Sequence, residues 1–215
     1  MKETEVEKSV LLIGGGGHCH SVIDSLLSGK EYDRIAIVDP DPAHSAGDII
    51  VIGTDDDLPQ LFANGWTYAF VTVGSVGNTS VRRKIFDNLK KIGFSIPSII
   101  DPTAAVALDA KIGSGVFVGK NAVINAGTKI EDMAIINSGA IVDHDCHVKS
   151  FAHISPGAVL CGQVEVGEDS HVGAGSVVKQ QVHIGNSALI GAGSVVVKDI
   201  PDGVVAYGNP CKVVK

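Results

Sequence analysis

Residues 136–154 read INSGAIVDHDCHVKSFAHI and belong to the stretch that decides the fold. Every sixth residue in it is aliphatic, and this spacing continues without a miss from Val106 to Val196. Fifteen of these sixteen residues are Val or Ile, whose β-branched side chains favour strands over helices. A period of six fits neither a helical face nor a single alternating strand, so it predicts a repeat architecture, the parallel β-helix.

The repeat also predicts how each coil is filled. The aliphatic residue is expected to point inward, with a small inward neighbour four positions later, mostly Ala, Ser or Thr. Three repeats close one turn, so residues 18 apart stack at about 4.8 Å. The glycine that often follows the aliphatic residue is expected to supply an unusual backbone conformation at the corner. These glycines are Gly113, Gly119, Gly167, Gly173, Gly185 and Gly191.

The first hundred residues predict a different architecture. Strands at 9–13, 34–38, 49–53 and 68–73 alternate with a helix after the glycine loop and with helices near 57–64 and 79–91. This alternation predicts a small parallel α/β sheet of the Rossmann-like kind. Two prolines near residue 100, where the six-residue phase begins, predict a domain boundary. We therefore expect a Rossmann-like domain over residues 1–98 and a β-helix domain over residues 99–215.

A glycine-rich loop, Gly14 to Gly17, follows the first predicted strand, and Asp39 and Gly74 follow two others. In parallel sheets ligands bind beyond the carboxyl ends of the strands. Glycines let a backbone approach a phosphate, and the start of the next helix offers free N–H groups. The dinucleotide fingerprint is only partly met, because Cys19 stands where a third Gly or Ala is usual. A nucleoside diphosphate is favoured over NAD, because no second dinucleotide-binding half has room to follow. A tight structural turn is the alternative.

Composition excludes several classes of function. The chain has 215 residues, a net charge of −7 and 17 basic residues that form no cluster, so nucleic acid is not an expected partner. No apolar run approaches the roughly 20 residues that span a bilayer. The charged first residues predict no secretion signal, and the four cysteines lack metal-type spacing. We expect a cytoplasmic protein with reduced thiols and no membrane insertion.

The polar cluster that points to chemistry is Asp143-His144-Asp145, directly after the inward Val142. Gly162 stacks 18 residues after His144, where it leaves room beside the imidazole and offers its N–H to an oxyanion. A histidine between two carboxylates and facing an open glycine favours a general base over a solvated surface residue.

The remaining polar positions carry weaker signals. His147, Glu165 and His183 form a row at 18-residue spacing, a pattern that could hold a divalent ion. Subunit packing or solvation is the ordinary explanation, and no metal is expected. Cys146 falls on an inward position, which indicates a core residue and not a nucleophile.

Several segments together resemble one family. These are Gly14 to His18, Val38-Asp39, Val73-Gly74, Arg82, the blocks Ile136 to Cys146 and His153 to Ala158, and the tail from Tyr207 to Val213. They make the chain after Lys8 similar to the sugar O/N-acetyltransferase family of hexapeptide-repeat enzymes, which includes sialic acid O-acetyltransferases and UDP-4-amino-sugar N-acetyltransferases. The resemblance implies a left-handed β-helix, acetyl-CoA as co-substrate, and a homotrimer with active sites between neighbouring prisms.

The resemblance also implies roles for residues. His144 would be the general base, and Asp145, where amino-sugar enzymes often have Glu, would raise its basicity. The residues near the acetyl group and the pantetheine would be His153, Gly162, Ala174 and Ala192. The residues that hold the nucleotide sugar would be Gly16, Gly17, His18, Asp39, Pro40, Gly74, Arg82, Asn137 and Ser138. Pro40 departs from the second acid of some relatives.

Three functions follow from these residues. The leading one is direct N-acetylation, by acetyl-CoA, of the amine of a nucleotide-linked amino sugar, such as a UDP-4-amino-4,6-dideoxy sugar, in bacterial glycan synthesis. The first alternative is O-acetylation of sialic acid or a related sugar. The second alternative is a non-catalytic β-helix scaffold whose α/β domain senses a nucleotide.

Overall fold

The computed structural model describes residues 7–215; residues 1–6, part of the charged start in which no secretion signal is predicted, lie outside the described residues. The chain forms two compact units. One comprises Ser80–Pro97 and the described part of Met1–Gly74, and the other comprises Ser75–Thr79 and Ser98–Lys215. The short segment Ser75–Thr79 thus belongs to the unit that forms the β-helix, although it precedes residue 98, where the sequence predicts the domain boundary.

The first unit is a parallel sheet in the order β3-β2-β1-β4, with helices in its connections. The strands are β1 (Ser9–Ile13), β2 (Arg34–Val38), β3 (Val51–Gly53) and β4 (Tyr68–Val71), and the α-helices are α1 (Gly17–Gly29), α2 (Leu58–Ala63) and α3 (Ser80–Ile92). Short 3-10 helices cover Pro42–His44 and Asp55–Asp57. All of β1 is buried, as expected for a central parallel strand with a continuous apolar sequence.

Two of the four strands are shorter than predicted. β3 loses its first two residues, because Ile49 pairs with Ala46 across a tight turn. β4 loses its last two residues, because Thr72 turns towards the glycine loop. The Thr72 N–H donates to Ile13 O at 2.9 Å, and its hydroxyl donates to Gly14 O at 2.5 Å. These contacts place the end of β4 beside the loop that follows β1.

The second unit is a parallel β-helix with three faces, each a sheet of parallel two-residue strands except at the end of face one, where the last two strands differ. Face one contains β5 (Ile99–Ile100), β8 (Phe117–Val118), β11 (Ile135–Ile136), β14 (His153–Ile154), β17 (His171–Val172), β20 (Leu189–Ile190), β22 (Val205–Tyr207) and the antiparallel β23 (Lys212–Val213). Face two contains β6 (Ala105–Val106), β9 (Val123–Ile124), β12 (Ile141–Val142), β15 (Val159–Leu160), β18 (Val177–Val178) and β21 (Val195–Val196). Face three contains β7 (Lys111–Ile112), β10 (Lys129–Ile130), β13 (His147–Val148), β16 (Glu165–Val166) and β19 (His183–Ile184).

The coils stack in the predicted register and bury the predicted residues. His153 pairs with His171, and Ile141 pairs with Val159, in each case 18 residues on. The aliphatic positions from Val118 to Val196 are at most 1% exposed. Polar residues at the small inward positions are satisfied by carbonyl groups, as where the Thr128 hydroxyl donates to Asp143 O at 2.8 Å. The inward assignment of both positions in the repeat is confirmed for these coils.

The expectation for the corner glycines is wrong. The left-handed conformation occurs two residues later in the repeat, where both Gly127 (φ +71°) and Asp145 (φ 56°) adopt it. The glycine directly after the aliphatic residue is instead required by close approach: a Cβ on Gly167 or Gly173 would lie 2.5 Å from the backbone of the next coil. Tight coil stacking, not backbone conformation, therefore selects glycine there.

No helix among residues 7–215 combines the length and the apolar character needed to cross a membrane.

Candidate active site

His144 projects from the corner between face two and face three, between β12 and β13. Its Nδ1 lies 2.9 Å from Asp145 Oδ2, and both side chains are more than half exposed. Because a carboxylate accepts only from an N–H, Nδ1 carries the proton and Nε2 keeps its lone pair. The hydrogen bond that His144 donates to Asp145 and the charges of Asp143 and Asp145 raise the pKa of His144, although partial desolvation opposes the shift. The arrangement is that of a general base with an orienting carboxylate.

Gly162 lies in the next coil, directly against this imidazole. A Cβ at Gly162 would come within 2.5 Å of His144 Nε2, so a larger residue would displace the ring. In the part of the chain that the structure describes, the Gly162 N–H has no hydrogen-bond acceptor. A cavity of about 400 Å³ opens here. It is lined by Asp143, His144, Cys161, Gly162, Gln163, Gln180 and Gln181.

His153 is held on both sides of its ring. Nδ1 lies 3.2 Å from Ser75 O and therefore carries the proton, so Nε2 accepts from the Asn137 side-chain amide at 3.2 Å. The other end of that amide, Asn137 Oδ1, accepts the Ser138 N–H at 2.8 Å. The ring of His171 packs edge-on against His153 at 4.9 Å. The structure thus brings Asn137, Ser138 and His153 together and shows His153 already engaged by protein groups.

The predicted site residues of the β-helix fall at two different corners. Residues 143–145 and those stacked on them, including Gly162, form the histidine corner between faces two and three. Residues 137–139 and those stacked on them form the asparagine corner between faces one and two, which also holds Ala174 and Ala192. Both alanines are exposed. Adjacent corners are six residues apart along the chain, a span of at most about 20 Å.

In the first unit the glycine loop meets the start of α1. Gly14 has φ +104°, and a Cβ there would lie 2.6 Å from a Val73 side-chain carbon. A Cβ on Gly16 or Gly17 would meet no other atom within 4 Å, and Gly16 caps α1 without a side-chain hydrogen bond. The space beside Gly16 and Gly17 at the start of α1 can admit an anion to the backbone.

Asp39, directly after β2, holds the glycine loop by a hydrogen bond to its backbone. Its carboxylate accepts the Gly15 N–H at 2.7 Å, the Asp41 N–H at 2.9 Å and His44 Nδ1 at 2.9 Å. Burial alone would raise the pKa of Asp39, but these hydrogen bonds hold it below its usual value. Pro40 follows at the surface. The contact with His44 is a part of the site that the sequence reasoning missed.

His18, Gly74 and Arg82 meet beside the same loop. The His18 Cβ lies 3.7 Å from the Cβ position at Gly74. Enclosure of the ring, with the nearby Arg82 charge, lowers the pKa of His18 to about 4, so the imidazole is neutral at neutral pH. Arg82 is only 1% exposed. Its guanidinium is therefore buried, and its contact with the substrate stays a prediction.

His147, Glu165 and His183 stack in register on face three, but their side chains form ion pairs with neighbouring charged residues. His147 Nε2 lies 2.7 Å from Glu131, and His183 Nδ1 lies 3.4 Å from Glu165, which also pairs with a lysine. The contact with Lys129 is the largest cause that lowers the pKa of Glu131 to about 2. Within residues 7–215 no group of three or more His, Cys, Asp or Glu side chains is arranged to hold a metal ion.

The cysteines are free thiols. Cys146 lies in the core at 1% exposure, and burial raises the pKa of its thiol to about 11. Burial likewise raises the pKa of Cys19 to about 11. Protonated buried thiols are poor nucleophiles, so these two cysteines are core residues.

Both units match known families. The family described as the PglD N-terminal domain matches residues 9–89. The family of bacterial transferase hexapeptides, six repeats, matches residues 145–180, and the hexapeptide repeat of succinyl-transferase matches residues 110–144 and 163–198. No curated protein matches the chain.

Solved structures match almost the whole chain. PerB from Caulobacter crescentus, in complex with CoA and GDP-perosamine, is 40% identical over 98% of this chain and 99% of that chain, with a TM-score of 0.91. A structure of perosamine N-acetyltransferase from the same organism with one histidine replaced by asparagine, again with CoA and GDP-perosamine, is 40% identical over 98% of each chain, with a TM-score of 0.92. The acetyltransferase domain of PglB from Neisseria gonorrhoeae, with acetyl coenzyme A, is 37% identical over 97% of this chain and 100% of that chain, with a TM-score of 0.89.

Fold and similarity together define an acyltransferase. More narrowly, the chain belongs to the sugar O/N-acetyltransferase family of hexapeptide-repeat enzymes. The predicted fold class, a Rossmann-like α/β domain followed by a left-handed parallel β-helix, is confirmed. The alternative of a non-catalytic scaffold is set aside.

Proposed function

We propose that the protein transfers the acetyl group of acetyl-CoA directly to the amine of a nucleotide-linked amino sugar. The observation that carries this proposal is the His144–Asp145 pair, whose free Nε2 faces the open Gly162. The donor is acetyl-CoA, as the structural neighbours crystallised with CoA or acetyl coenzyme A support. We place the reaction in the cytoplasm, in bacterial glycan synthesis.

The chemistry needs one base and one oxyanion donor. His144 Nε2 takes a proton from the amine as the nitrogen attacks the thioester carbonyl. The Gly162 N–H, which has no acceptor among the described residues, stabilises the negative oxygen of the tetrahedral intermediate. The C–S bond then breaks, and the imidazolium returns its proton to the leaving thiolate. No acyl-enzyme forms, so no cysteine takes part.

Asp145 keeps this base ready. Its bond to Nδ1 holds the imidazole in the tautomer that leaves Nε2 free, and its charge stabilises the imidazolium that forms during attack. Asp145 takes the left-handed conformation with φ 56°, which turns its carboxylate back towards the ring of the preceding residue.

The nucleotide is assigned to the first unit. The diphosphate would lie against the backbone of Gly16 and Gly17, which has open space beside it at the start of α1, with His18 next to it. Asp39 and Gly74 would border it, whereas the buried Arg82 would act through the neighbouring His18. Neutral His18 adds no charge, so the binding energy would come from backbone dipoles. GDP-perosamine, the ligand of PerB, is the first acceptor to test, before UDP-linked amino sugars.

A homotrimer would complete the site. The histidine corner carries the base and Gly162, and the asparagine corner carries Asn137, Ser138, Ala174 and Ala192, at most about 20 Å away on one prism. Coenzyme A and the acceptor amine must meet at His144. A neighbouring copy whose asparagine corner faces this histidine corner would bring both sets of residues to one ligand.

The test is a panel of acceptors with acetyl-CoA, measured as release of free thiol. The panel contains GDP-perosamine, UDP-linked 4-amino sugars, sialic acid and a nucleotide sugar without an amine. We expect transfer to a nucleotide amino sugar and none to the sugar that lacks the amine. Transfer to sialic acid alone would overturn the proposal in favour of O-acetylation.

A further inference from the structure

Asp143, which precedes the base, is tied to the coil beneath it. Its Oδ1 accepts the side-chain amide of Asn125 at 2.9 Å and the backbone N–H of His144 at 2.8 Å. Asn125 lies 18 residues earlier, in the stacked position of the preceding coil. One carboxylate oxygen therefore joins a side chain fixed in that coil to the backbone of His144.

The backbone of the histidine corner is also hydrogen-bonded to the preceding coil. The Thr128 hydroxyl donates to Asp143 O at 2.8 Å, and the Asp145 N–H donates to Ala126 O at 2.9 Å. Gly127 lies under Asp145, where a Cβ would come within 2.4 Å of its carboxylate oxygen. The backbone on both sides of His144 is thus fixed by the coil below, and the hydrogen bond from Asn125 to Asp143 is the one among these anchors that joins two side chains.

We propose that Asn125 and Asp143 are positioning residues that fix the direction in which His144 leaves the β-helix. This inference rests on the proposed function of His144. Neither residue needs to touch a substrate. Their combined effect is to aim Nε2 at Gly162, where the attacking amine and the thioester carbonyl must meet.

Asp143 has a second effect through its charge. The N–H donors from His144 and Asn125 keep its pKa below the usual value, so it stays ionised near neutral pH. The other titratable groups around the imidazole are Asp145 and Cys161. Two carboxylates, not one, therefore favour the protonated ring, and removing the charge of Asp143 weakens the base without touching its bond to Asp145.

Four variants test the inference in the full-length protein, with kcat measured against pH. Asn125→Asp sets a carboxylate against Asp143, and we expect kcat to fall about tenfold with KM for acetyl-CoA unchanged. Asp143→Asn keeps the acceptor for the His144 N–H but loses the charge, so the pH midpoint of kcat should move to lower pH. The double variant Asn125→Asp/Asp143→Asn restores the hydrogen bond with donor and acceptor exchanged, so kcat should exceed that of Asn125→Asp.

Asn186→Ala is the matched control. Asn186 also bridges stacked coils, since its Oδ1 accepts the Glu168 N–H at 2.9 Å, but it lies at another corner. It should leave kcat within about twofold of the wild type, because surface changes away from the site have small effects. The melting temperatures of all variants distinguish a loss of stability from a misplaced His144 side chain in a folded protein.

Two results would overturn the inference: an unchanged kcat and pH profile in Asn125→Asp and Asp143→Asn, or an equal loss in Asn186→Ala. Failure of the proposed function looks different, because the wild type would then transfer no acetyl group to any amine. If wild-type activity depends on His144 but the Asn125 and Asp143 variants keep the wild-type kcat and pH profile, this inference is wrong and the proposed function stands.

Discussion

The hydrogen bond between His144 and Asp145 makes the reaction depend on pH in a defined direction. Asp145 raises the pKa of His144, and the base acts only when Nε2 is unprotonated, so kcat should fall as pH drops through that raised pKa. In Asp145→Asn the midpoint should move to lower pH, and kcat at its plateau should fall at least tenfold because the tautomer is no longer fixed. A pH profile of kcat at saturating substrates measures both effects. An unmoved midpoint would contradict the role of Asp145.

Gly162 gives a steric prediction. Gly162→Ala would place a methyl group within 2.5 Å of His144 Nε2 and force the ring away from the oxyanion position. We expect kcat to fall by about 10²-fold or more, as for the loss of a general base. Gly162 itself has no left-handed backbone conformation to lose, so the melting temperature should change little. Gly203→Ala, at a turn with open space around it, is the control for kcat: its left-handed φ of +69° should lower the melting temperature, but kcat of the folded protein should not change. Full activity in Gly162→Ala would show that His144 does not need this space.

Much of the site could be predicted because the β-helix turns sequence spacing into position. Once three six-residue repeats close a coil, Gly162 must stack on His144, and His171 on His153. Strands β1, β2 and β4 could be predicted from their apolar runs, since most of their residues are buried in the sheet.

Other parts of the site could not be predicted, because they depend on contacts that no period encodes. His44 reaches Asp39 through a 3-10 turn, and Ser75 reaches His153 across 78 positions of the chain. The reason for glycine after the aliphatic residues could not be predicted either, because backbone clearance between coils is visible only in three dimensions.

The repeat also predicts how the β-helix responds to a cavity. Ile184→Ala removes a fully buried side chain on face three, away from the histidine corner. We expect a loss of about 2–5 kcal/mol in the free energy of unfolding, measured by denaturant titration. Activity of the folded fraction should be unchanged. The adjacent outward substitution His183→Ala should cost less than about 1 kcal/mol, since its ion pair is half exposed. Similar losses at both positions would contradict the inward and outward assignment.

The separation of the two corners predicts complementation between copies of the chain. His144→Ala removes the base, and Ala174→Glu blocks the exposed asparagine corner, so each variant alone should be inactive. In each mixed trimer one of the three sites would combine an intact histidine corner with an intact asparagine corner of a neighbour, which is roughly a quarter of all sites after random assembly of equal amounts. Co-expression of the two variants should therefore restore activity. Separately purified variants mixed without exchange of subunits are the control. No recovery in verified mixed trimers would place each site within one chain.

The central claim is that His144 drives formation of an amide on a nucleotide amino sugar. The direct measurement is NMR of the product formed from isotope-labelled acetyl-CoA and GDP-perosamine, with wild type and His144→Ala compared in rate. We predict an acetyl group on the sugar nitrogen and a loss of about 10²-fold or more in His144→Ala. An ester on a sugar hydroxyl, or an amide formed at nearly the same rate without the imidazole, would contradict it.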